Sequence, residues 1–299
     1  MLQSEKRHFG GRAPKDARLV RRGTKPSVPL ILFHYTNTKA FLKIVESRTL
    51  RASSVHCLND ALEYRYAFEF LRAYFSSASP FPPELAIAVI HALEGIWKGV
   101  ELQSRFVASF SEVRDDLSQW RAYGRPAPGF SIGFDPGALG LLAKDQGFDL
   151  VPCIYDEILQ TERVTDLIQS ILDAPGLIDP SPPGDYALIA NEIIAGMVDI
   201  ASYFKHPKFE GEKEWRLVSK SIPSTSPRIK YRAGTSLVVP YLEITLAKKT
   251  EGIPAQQVLV GPSPIQGIPC VTAFDVLAAN GCDLLPTDVK PSAVPFRDW

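Results

Sequence analysis

The sequence predicts an α+β fold, in which strands and helices occur in separate groups rather than in strict alternation. Three apolar runs of strand type follow one another at residues 105–111, 129–134 and 150–155, before two helical patterns begin. The chain has 299 residues, of which 45% are hydrophobic and 22% charged. Because this composition is typical of a packed globular protein, we expect a single α+β domain over residues 29–299.

A strand and a helix are expected to open this domain. Residues 30–35 form an apolar strand, and Phe41, Ile44 and Val45 follow at the spacing of one helix face. The last third of the chain returns to strands. Its apolar runs lie at residues 215–218, 237–239, 242–244 and 257–260.

Two helical insertions are expected between the strands, near residues 60–98 and 157–204. In the first, Asp60 and Glu63 have the spacing of a capping box, which alone accounts for both side chains. The individual helices are expected over residues 83–97, with Leu85, Val89 and Leu93 in one apolar stripe, and over 157–173 and 186–204.

Charge and motif content argue against several classes of function. Lys plus Arg and Asp plus Glu both number 33, so no overall field attracts nucleic acid or an anionic membrane. No run of 18 apolar residues occurs and the N-terminus lacks an apolar signal core, so we expect a cytoplasmic location without membrane contact. Neither a Walker phosphate loop nor a Gly-x-Gly-x-x-Gly fingerprint occurs, which argues against P-loop NTPases and Rossmann oxidoreductases.

Cysteine and histidine spacing predicts neither a redox pair nor a metal centre. The chain has no Cys-x-x-Cys pair and no His-Glu-x-x-His pair. We therefore expect no metal, and buried thiols in a reduced compartment. The cysteines are Cys57, Cys153, Cys270 and Cys282.

Residues 1–28 differ from the rest of the chain in charge. They contain eight Lys and Arg residues against Glu5 and Asp16, with almost no apolar periodicity. This composition predicts a basic flexible arm that cannot bury enough surface to order itself. A solvated tail is the simplest interpretation, and the alternative is an arm that contacts the phosphates of a nucleic acid.

The segment Gly129-Phe130-Ser131-Ile132-Gly133 matches the pattern of a serine hydrolase nucleophile elbow. An elbow needs a helix directly after the serine, whereas here Phe130, Ile132 and Phe134 continue the alternation of a strand. Ser131 is therefore expected inside a strand, with a serine hydrolase as an alternative.

A set of polar and aromatic motifs extends along the chain. The motifs are Phe33-His34-Tyr35-Thr36, Asn59-Asp60-x-x-Glu63, Ser109-Phe110-Ser111-Glu112, Gln119-Trp120-x-x-Tyr123 and Gly211-Glu212-Lys213-Glu214-Trp215-Arg216. In this order they resemble domain-of-unknown-function family 2971, a bacterial family, over about residues 30–262. Two departures are Ala61 in place of a proline and residues 126–128 in place of a frequent histidine.

The family pattern in turn is similar to the ADP-ribosyltransferase superfold. This resemblance implies two packed, mainly antiparallel sheets with helical insertions, and an enzyme that uses NAD as its substrate without a metal. It also implies transfer of ADP-ribose to an unidentified protein or nucleic-acid acceptor, as in a bacterial toxin or defence effector.

The same resemblance implies roles for individual residues. Glu214 is the candidate catalytic carboxylate, because a negative charge near the ribose stabilises the oxocarbenium-like state that forms when nicotinamide leaves. The Glu212-x-Glu214 spacing places both carboxylates on one side of a strand, so that Glu212 can orient the acceptor or take its proton. Tyr123 or Tyr155 is expected to stack on nicotinamide. The expected NAD-binding residues are His34, Tyr35, Thr36, Ser109, Ser111 and Tyr123.

Other interpretations stay open at this point. The same cleft can belong to a non-catalytic protein that binds a nucleotide or a partner. His34 can be a hydrogen-bonded histidine at a strand end, and Glu212 and Glu214 can pair with Lys213 or Arg216 on a solvated face.

Overall fold

A computed structural model of the chain describes residues 30–57, 61–76, 82–97, 103–126, 128–174, 186–234, 236–265 and 267–295. The predicted basic arm at 1–28 and the Asn59–Asp60 pair lie outside the described residues. The strands are β1 (Leu32–Asn37), β2 (Thr49–Ser54), β3 (Gln103–Ser104), β4 (Phe106–Ser111), β5 (Gly129–Phe134), β6 (Phe148–Pro152), β7 (Glu214–Ser219), β8 (Ile222–Pro223), β9 (Lys230–Ala233), β10 (Val238–Thr245), β11 (Ala255–Val260) and β12 (Val289–Pro291). The α-helices are α1 (Thr38–Ser47), α2 (Ala61–Ser76), α3 (Pro83–Trp97), α4 (Leu117–Tyr123), α5 (Pro136–Lys144), α6 (Glu157–Leu172), α7 (Tyr186–Ala201) and α8 (Gly267–Ala279), and short 3-10 helices span Val55–Cys57, Pro207–Glu212 and Pro286–Asp288.

The chain is α+β, as predicted, with a mixed and mostly antiparallel main sheet. Its strands run in the order β12-β11-β5-β1-β4-β2-β10-β9, and β7 and β6 branch from β4. β11 and β12 are parallel to each other, whereas the other pairs of this sheet are antiparallel. Ten strands thus join into one branched sheet, because β4 pairs with β1, β2 and β7, and only the short strands β3 and β8 form a separate pair among the described residues. The expected arrangement of two packed sheets is therefore wrong.

Local sequence patterns predicted several elements well. The stripe of Leu85, Val89 and Leu93 is buried on α3, and residues 129–134 form β5. The runs predicted at 237–239 and 242–244 merge into one strand, β10, which begins one residue later at Val238, because Pro240 and Tyr241 continue the extended backbone. The sequence reasoning missed the helices α4, α5 and α8 and the strands β2, β3, β8, β9 and β12.

One edge of β4 is divided between two strands. β1 pairs with Ser111 at the end of β4, whereas β2 pairs with Phe106 and Val107 at its start. Residues 108–110 lie between these two points, and their registered partners are on β7, along the other edge. β1 and β2 therefore separate along β4, and α1 connects them.

The two faces of β4 pack into different apolar clusters. Phe106, Ala108 and Phe110 enter the largest cluster, together with α1 and most of the other strands. Val107 points the other way and packs with α2, α3, α6 and α7, which come from the two predicted helical insertions. Since full burial of one large apolar side chain contributes roughly 1.5–3 kcal/mol, packing on both faces fixes the position of β4.

Candidate functional site

A cavity of about 620 Å³ opens where β1 and β2 separate. Ala108, Ser109 and Phe110 of β4 line it, together with residues of β1, α1, β2, α4 and β7. Its volume lies within the range of roughly 300–1,000 Å³ that is typical of small-molecule sites. The cavity is therefore large enough for a ligand of nucleotide size.

His34 enters this cavity from β1. Its Nδ1 lies 2.9 Å from the carbonyl oxygen of Ser109, which is in the unpaired stretch of the β4 edge. Burial lowers the pKa of His34 below its ordinary value, although the hydrogen bond to Ser109 acts in the opposite direction. The imidazole is therefore neutral at pH 7, and because a carbonyl oxygen can only accept, Nδ1 carries the proton. Nε2 is left as an acceptor, with no hydrogen bond to the part of the chain that the structure describes.

Glu214 and Arg216 lie two residues apart on β7 and therefore point to the same side of the strand. Arg216 donates from Nε to Glu214 Oε1 at 2.7 Å and from Nη2 to Oε2 at 3.1 Å. Its Nη1 donates to the carbonyl oxygen of Ser202 at 2.9 Å. This two-point contact fixes the carboxylate of Glu214 against the end of the helical layer.

Lys205 connects both predicted catalytic carboxylates. Its Nζ lies 2.5 Å from Glu214 Oε2 and 2.6 Å from Glu212 Oε2. The side chain of Glu214 is only 7% exposed, whereas that of Glu212 is 23% exposed. Glu212 is therefore the carboxylate that a ligand can reach more easily, and Glu214 is the one that is held more firmly.

The charges around Glu214 keep it ionised. Burial alone would raise the pKa of its carboxyl, but the Arg216 guanidinium and the Lys205 ammonium outweigh that effect and lower the pKa to about 2. The pairing with Arg216 agrees with one of the alternative interpretations of the sequence. The pair is buried, however, and does not lie on a solvated face.

The expectation that Glu212 and Glu214 share one strand is wrong. Glu212 ends the 3-10 helix Pro207–Glu212, and Lys213 then adopts a left-handed conformation with φ 43° before β7 begins. The turn is held by a hydrogen bond from the Lys213 N–H to the carbonyl oxygen of Glu210. The two carboxylates meet because this turn brings both to Lys205.

The structure places several other predicted residues around the cavity. Thr36 and Ser109 line it, as does Tyr123, which lies at the end of α4 and is 38% exposed. Tyr35 also lines it, but its hydroxyl donates to the carbonyl oxygen of Val113 at 2.6 Å. The hydroxyl of Tyr35 is therefore used to hold the segment after β4.

Two predicted contacts are not found at the cavity. Ser111 donates from Oγ to the carbonyl oxygen of Glu212 at 2.7 Å and accepts from the N–H of Val113, so it supports the turn before β7. Tyr155 accepts the N–H of Glu214 at 2.9 Å, and its hydroxyl therefore positions the strand. Among the described residues that line the cavity, neither side chain is present.

Sequence reasoning missed most of the cationic residues of the cavity. Lys43 of α1, Arg51 of β2 and Arg232 of β9 line it, as does Lys205. No spacing in the sequence connects these residues, because they come from four different segments. Gln119 was also missed as a site residue, although it is buried and lines the cavity. Its place in the Gln119-Trp120-x-x-Tyr123 motif was the signal that could have identified it.

Ser131 lies in the middle of β5, opposite Tyr35 of β1 and Leu259 of β11. It is fully buried, and β5 continues past it to Phe134. A serine hydrolase needs an exposed nucleophile at a strand-to-helix turn, so the alternative based on Ser131 is wrong.

The described ranges contain neither a group of metal-ligating side chains nor a helix of membrane-spanning type. No group of three or more His, Cys, Asp and Glu side chains in these ranges is placed to hold a metal ion. None of the helices in the same ranges has both the length and the apolar character required to cross a membrane.

Residues 119–217 match the model of a family described as "Protein of unknown function (DUF2971)". The predicted resemblance to this family is confirmed over these residues. The DUF2971 match is narrower than the expected 30–262 and contains Gln119, Tyr123 and the wall formed by Lys205, Glu212, Glu214 and Arg216. No curated protein and no solved structure matches the chain, so its likeness to the ADP-ribosyltransferase superfold stays a prediction.

Proposed function

We propose that the cavity binds NAD and that the protein transfers ADP-ribose from it to a protein or nucleic-acid acceptor. The observation that carries this proposal is the convergence of Glu214, Glu212 and His34 on one cavity at the divided edge of β4. These three residues are distant in the sequence and supply the two types of group that the reaction needs: carboxylates and a neutral hydrogen-bond acceptor.

The chemistry follows from the state of each group. When the bond between ribose C1′ and the nicotinamide nitrogen breaks, its electron pair leaves with nicotinamide and the ribose becomes an oxocarbenium-like cation. Glu214, which is ionised because its pKa is about 2, stabilises this cation. The acceptor then attacks C1′, and Glu212 is the more exposed carboxylate that takes the proton the acceptor loses. The Nε2 atom of His34 accepts a hydrogen bond from a ribose hydroxyl.

A second candidate function is nucleotide binding without cleavage. One observation favours it: both carboxylate oxygens of Glu214 already contact Lys205 or Arg216. A carboxylate that two cations neutralise stabilises a developing positive charge less than an unpaired one does.

The test is nicotinamide release from NAD labelled in the nicotinamide ring, with NAD binding measured in parallel by calorimetry. The transferase proposal expects release by the full chain and a loss on the order of a hundredfold or more in Glu214→Gln. Glu210→Gln is the matched control, because Glu210 is an exposed carboxylate of the same 3-10 helix and does not line the cavity. Its rate should equal that of the unmodified chain.

Three results contradict the proposal in different ways. Binding of NAD without release supports the second candidate. Release that is unchanged in Glu214→Gln removes Glu214 from the mechanism. Absence of NAD binding overturns the transferase proposal.

A further inference from the structure

Positive charge is distributed unevenly around the cavity. Five cationic and two carboxylate side chains line it among the described residues. On the β7 wall, Lys205 and Arg216 are paired with Glu212 and Glu214, so this wall is close to neutral. The excess of three positive charges therefore lies on the opposite side, where the lining cations are Lys43, Arg51 and Arg232.

The two arginines of this side are held close to each other by the sheet. β10 lies between β2 and β9, and Arg232 of β9 donates from Nη2 to the Oγ of Ser53 on β2 at 3.3 Å. Ser53 and Arg51 are two residues apart on β2 and therefore share a face. Both guanidinium groups thus extend from one face of this part of the sheet.

The carboxylate that lies opposite Arg51 in the sheet is paired with a lysine. Glu243 lies directly opposite Arg51 in the β2–β10 pair, but its Oε2 accepts from Lys230 Nζ at 2.6 Å. Arg51 packs over the ring of Tyr241, with its guanidinium carbon 4.6 Å from the ring centroid. Within the described part of the chain, Arg51, Arg232 and Lys43 form no ion pair with a carboxylate.

Two polar residues with low overall exposure also line the cavity. Thr36 and Gln119 line it, and each is only 7% exposed. Neither side chain hydrogen-bonds to a residue that the structure describes. Their polar atoms are not among the buried unpaired atoms of the described residues, so they reach the open space of the cavity, where a polar ligand can bond to them.

We propose that Arg51, Arg232 and Lys43 form a polyphosphate subsite, which binds the phosphoanhydride group of a nucleoside-diphosphate ligand. This inference deepens the proposed function and rests on its nucleotide-binding part. A diphosphate presents several anionic oxygens, and the planar fork of arginine donates to two of them at once. The phosphates then lie against β2 and β9, and the sugar that reacts lies against β7.

The test measures the binding of inorganic pyrophosphate and of NAD by calorimetry, with the full chain and single variants. Arg51→Gln and Arg232→Gln should each weaken pyrophosphate binding by at least about tenfold, because each removes hydrogen bonds to a charged group. Lys43→Gln should weaken it by about fivefold, as expected for an exposed charge. In an NAD turnover assay the arginine variants should raise KM more than they lower kcat, because they remove binding that is uniform along the reaction.

Each variant has a matched control. Lys39→Gln changes an exposed lysine on the same helix as Lys43, and Arg72→Gln changes an exposed arginine on α2, and neither residue lines the cavity. Both controls should bind pyrophosphate as the unmodified chain does. Melting temperatures identify any arginine variant that has lost its fold, and in that case the exposed Lys43→Gln variant still decides the question.

The outcomes separate this inference from the proposed function. Pyrophosphate binding that is absent in the unmodified chain, or unchanged in folded Arg51→Gln, Arg232→Gln and Lys43→Gln variants, overturns the subsite. Nicotinamide release with an unchanged KM in these variants overturns the subsite but leaves the transferase proposal intact. Loss of pyrophosphate binding in the variants of a chain that cleaves no NAD supports the subsite and overturns the transferase.

Discussion

The ionised state of Glu214 has a direct consequence for the stability of the fold at different pH. Its pKa falls from an ordinary value of 4.5 to about 2 in the folded chain, because Arg216 and Lys205 outweigh the effect of burial. Each tenfold change in proton affinity corresponds to about 1.4 kcal/mol, so the ionised carboxylate contributes about 3 kcal/mol to the free energy of unfolding.

The sign of the pH dependence follows from the lowered pKa. A carboxyl group whose pKa is lower in the folded state stabilises that state fully above its pKa in the unfolded chain. The contribution decreases as the pH falls from about 5 towards about 2, and about 2 kcal/mol of it is lost between pH 7 and pH 3. Glu214→Gln carries no charge at either pH. We therefore expect this variant to be less stable by about 3 kcal/mol at pH 7 and by about 1 kcal/mol at pH 3.

Urea denaturation followed by tryptophan fluorescence measures this difference at both pH values. The Glu210→Gln variant controls for the loss of an exposed carboxylate and should stay within about 0.5 kcal/mol of the unmodified chain. A destabilisation by Glu214→Gln that is the same at pH 7 and pH 3 would refute the reasoning, because it would show that packing, not charge, accounts for the effect.

Three further perturbations test the supports of the cavity and the N-terminal segment. Tyr155→Phe leaves the buried N–H of Glu214 without its acceptor, so the free energy of unfolding measured in urea should fall by about 1–3 kcal/mol. Trp120→Phe removes the indole N–H that donates to Asp115 at 2.7 Å. Asp115 also accepts from the Ser292 hydroxyl and from the N–H of Ala293, so loss of the indole donor loosens this carboxylate. Amide hydrogen exchange should therefore become faster in residues 292–294. Deletion of residues 1–28 should leave the melting temperature and NAD turnover unchanged, because the segment has little apolar surface to pack. If the acceptor is a nucleic acid, the deletion should weaken its binding and make that binding less sensitive to salt, because the basic side chains are lost.

Each of these predictions has a control or a contradicting result. Tyr231→Phe, at an exposed tyrosine of β9, should leave the stability unchanged. Unchanged hydrogen exchange at residues 292–294 in Trp120→Phe would show that the other two donors alone hold this segment. A large fall in melting temperature on deletion of residues 1–28 would show that the segment packs against the domain.

The sequence predicted mainly those helices and strands whose pattern is complete within a short stretch of the chain. The apolar stripe of α3 is visible within a few turns of the chain, and so is the alternation of β5. β2 was missed because Leu50 and Ala52 are its only apolar residues, so its burial depends on partners far along the chain. α5 did carry a local signal, since Asp135 caps it and Pro136 occupies its first turn.

In the candidate site, too, residues of one sequence motif were predicted, whereas residues that only the fold brings together were missed. Glu214 and Arg216 belong to one recognisable motif and lie two residues apart on β7. Alternate residues of a strand point to the same side, which is why their side chains can pair. Lys205 lies nine residues before Glu214, and the connecting 3-10 helix and left-handed Lys213 decide that the two meet. Arg51 and Arg232 are 181 positions apart in the sequence, and only the insertion of β10 between their strands brings them to one face.

The two sides of the cavity impose opposite requirements on a ligand. At the β7 wall, the cations that keep Glu214 ionised also neutralise it, so this wall offers little net attraction for a charged group before reaction. At the β2 and β9 side, Arg51 and Arg232 lack carboxylate partners among the described residues, so an anionic group is attracted there in the ground state. In our proposals, a nucleotide is therefore bound mainly through its phosphates, and Glu214 and Glu212 act on the sugar where positive charge develops. Since the phosphates do not change during the reaction, their contacts stabilise the bound nucleotide and the transition state equally, and they lower KM without raising kcat.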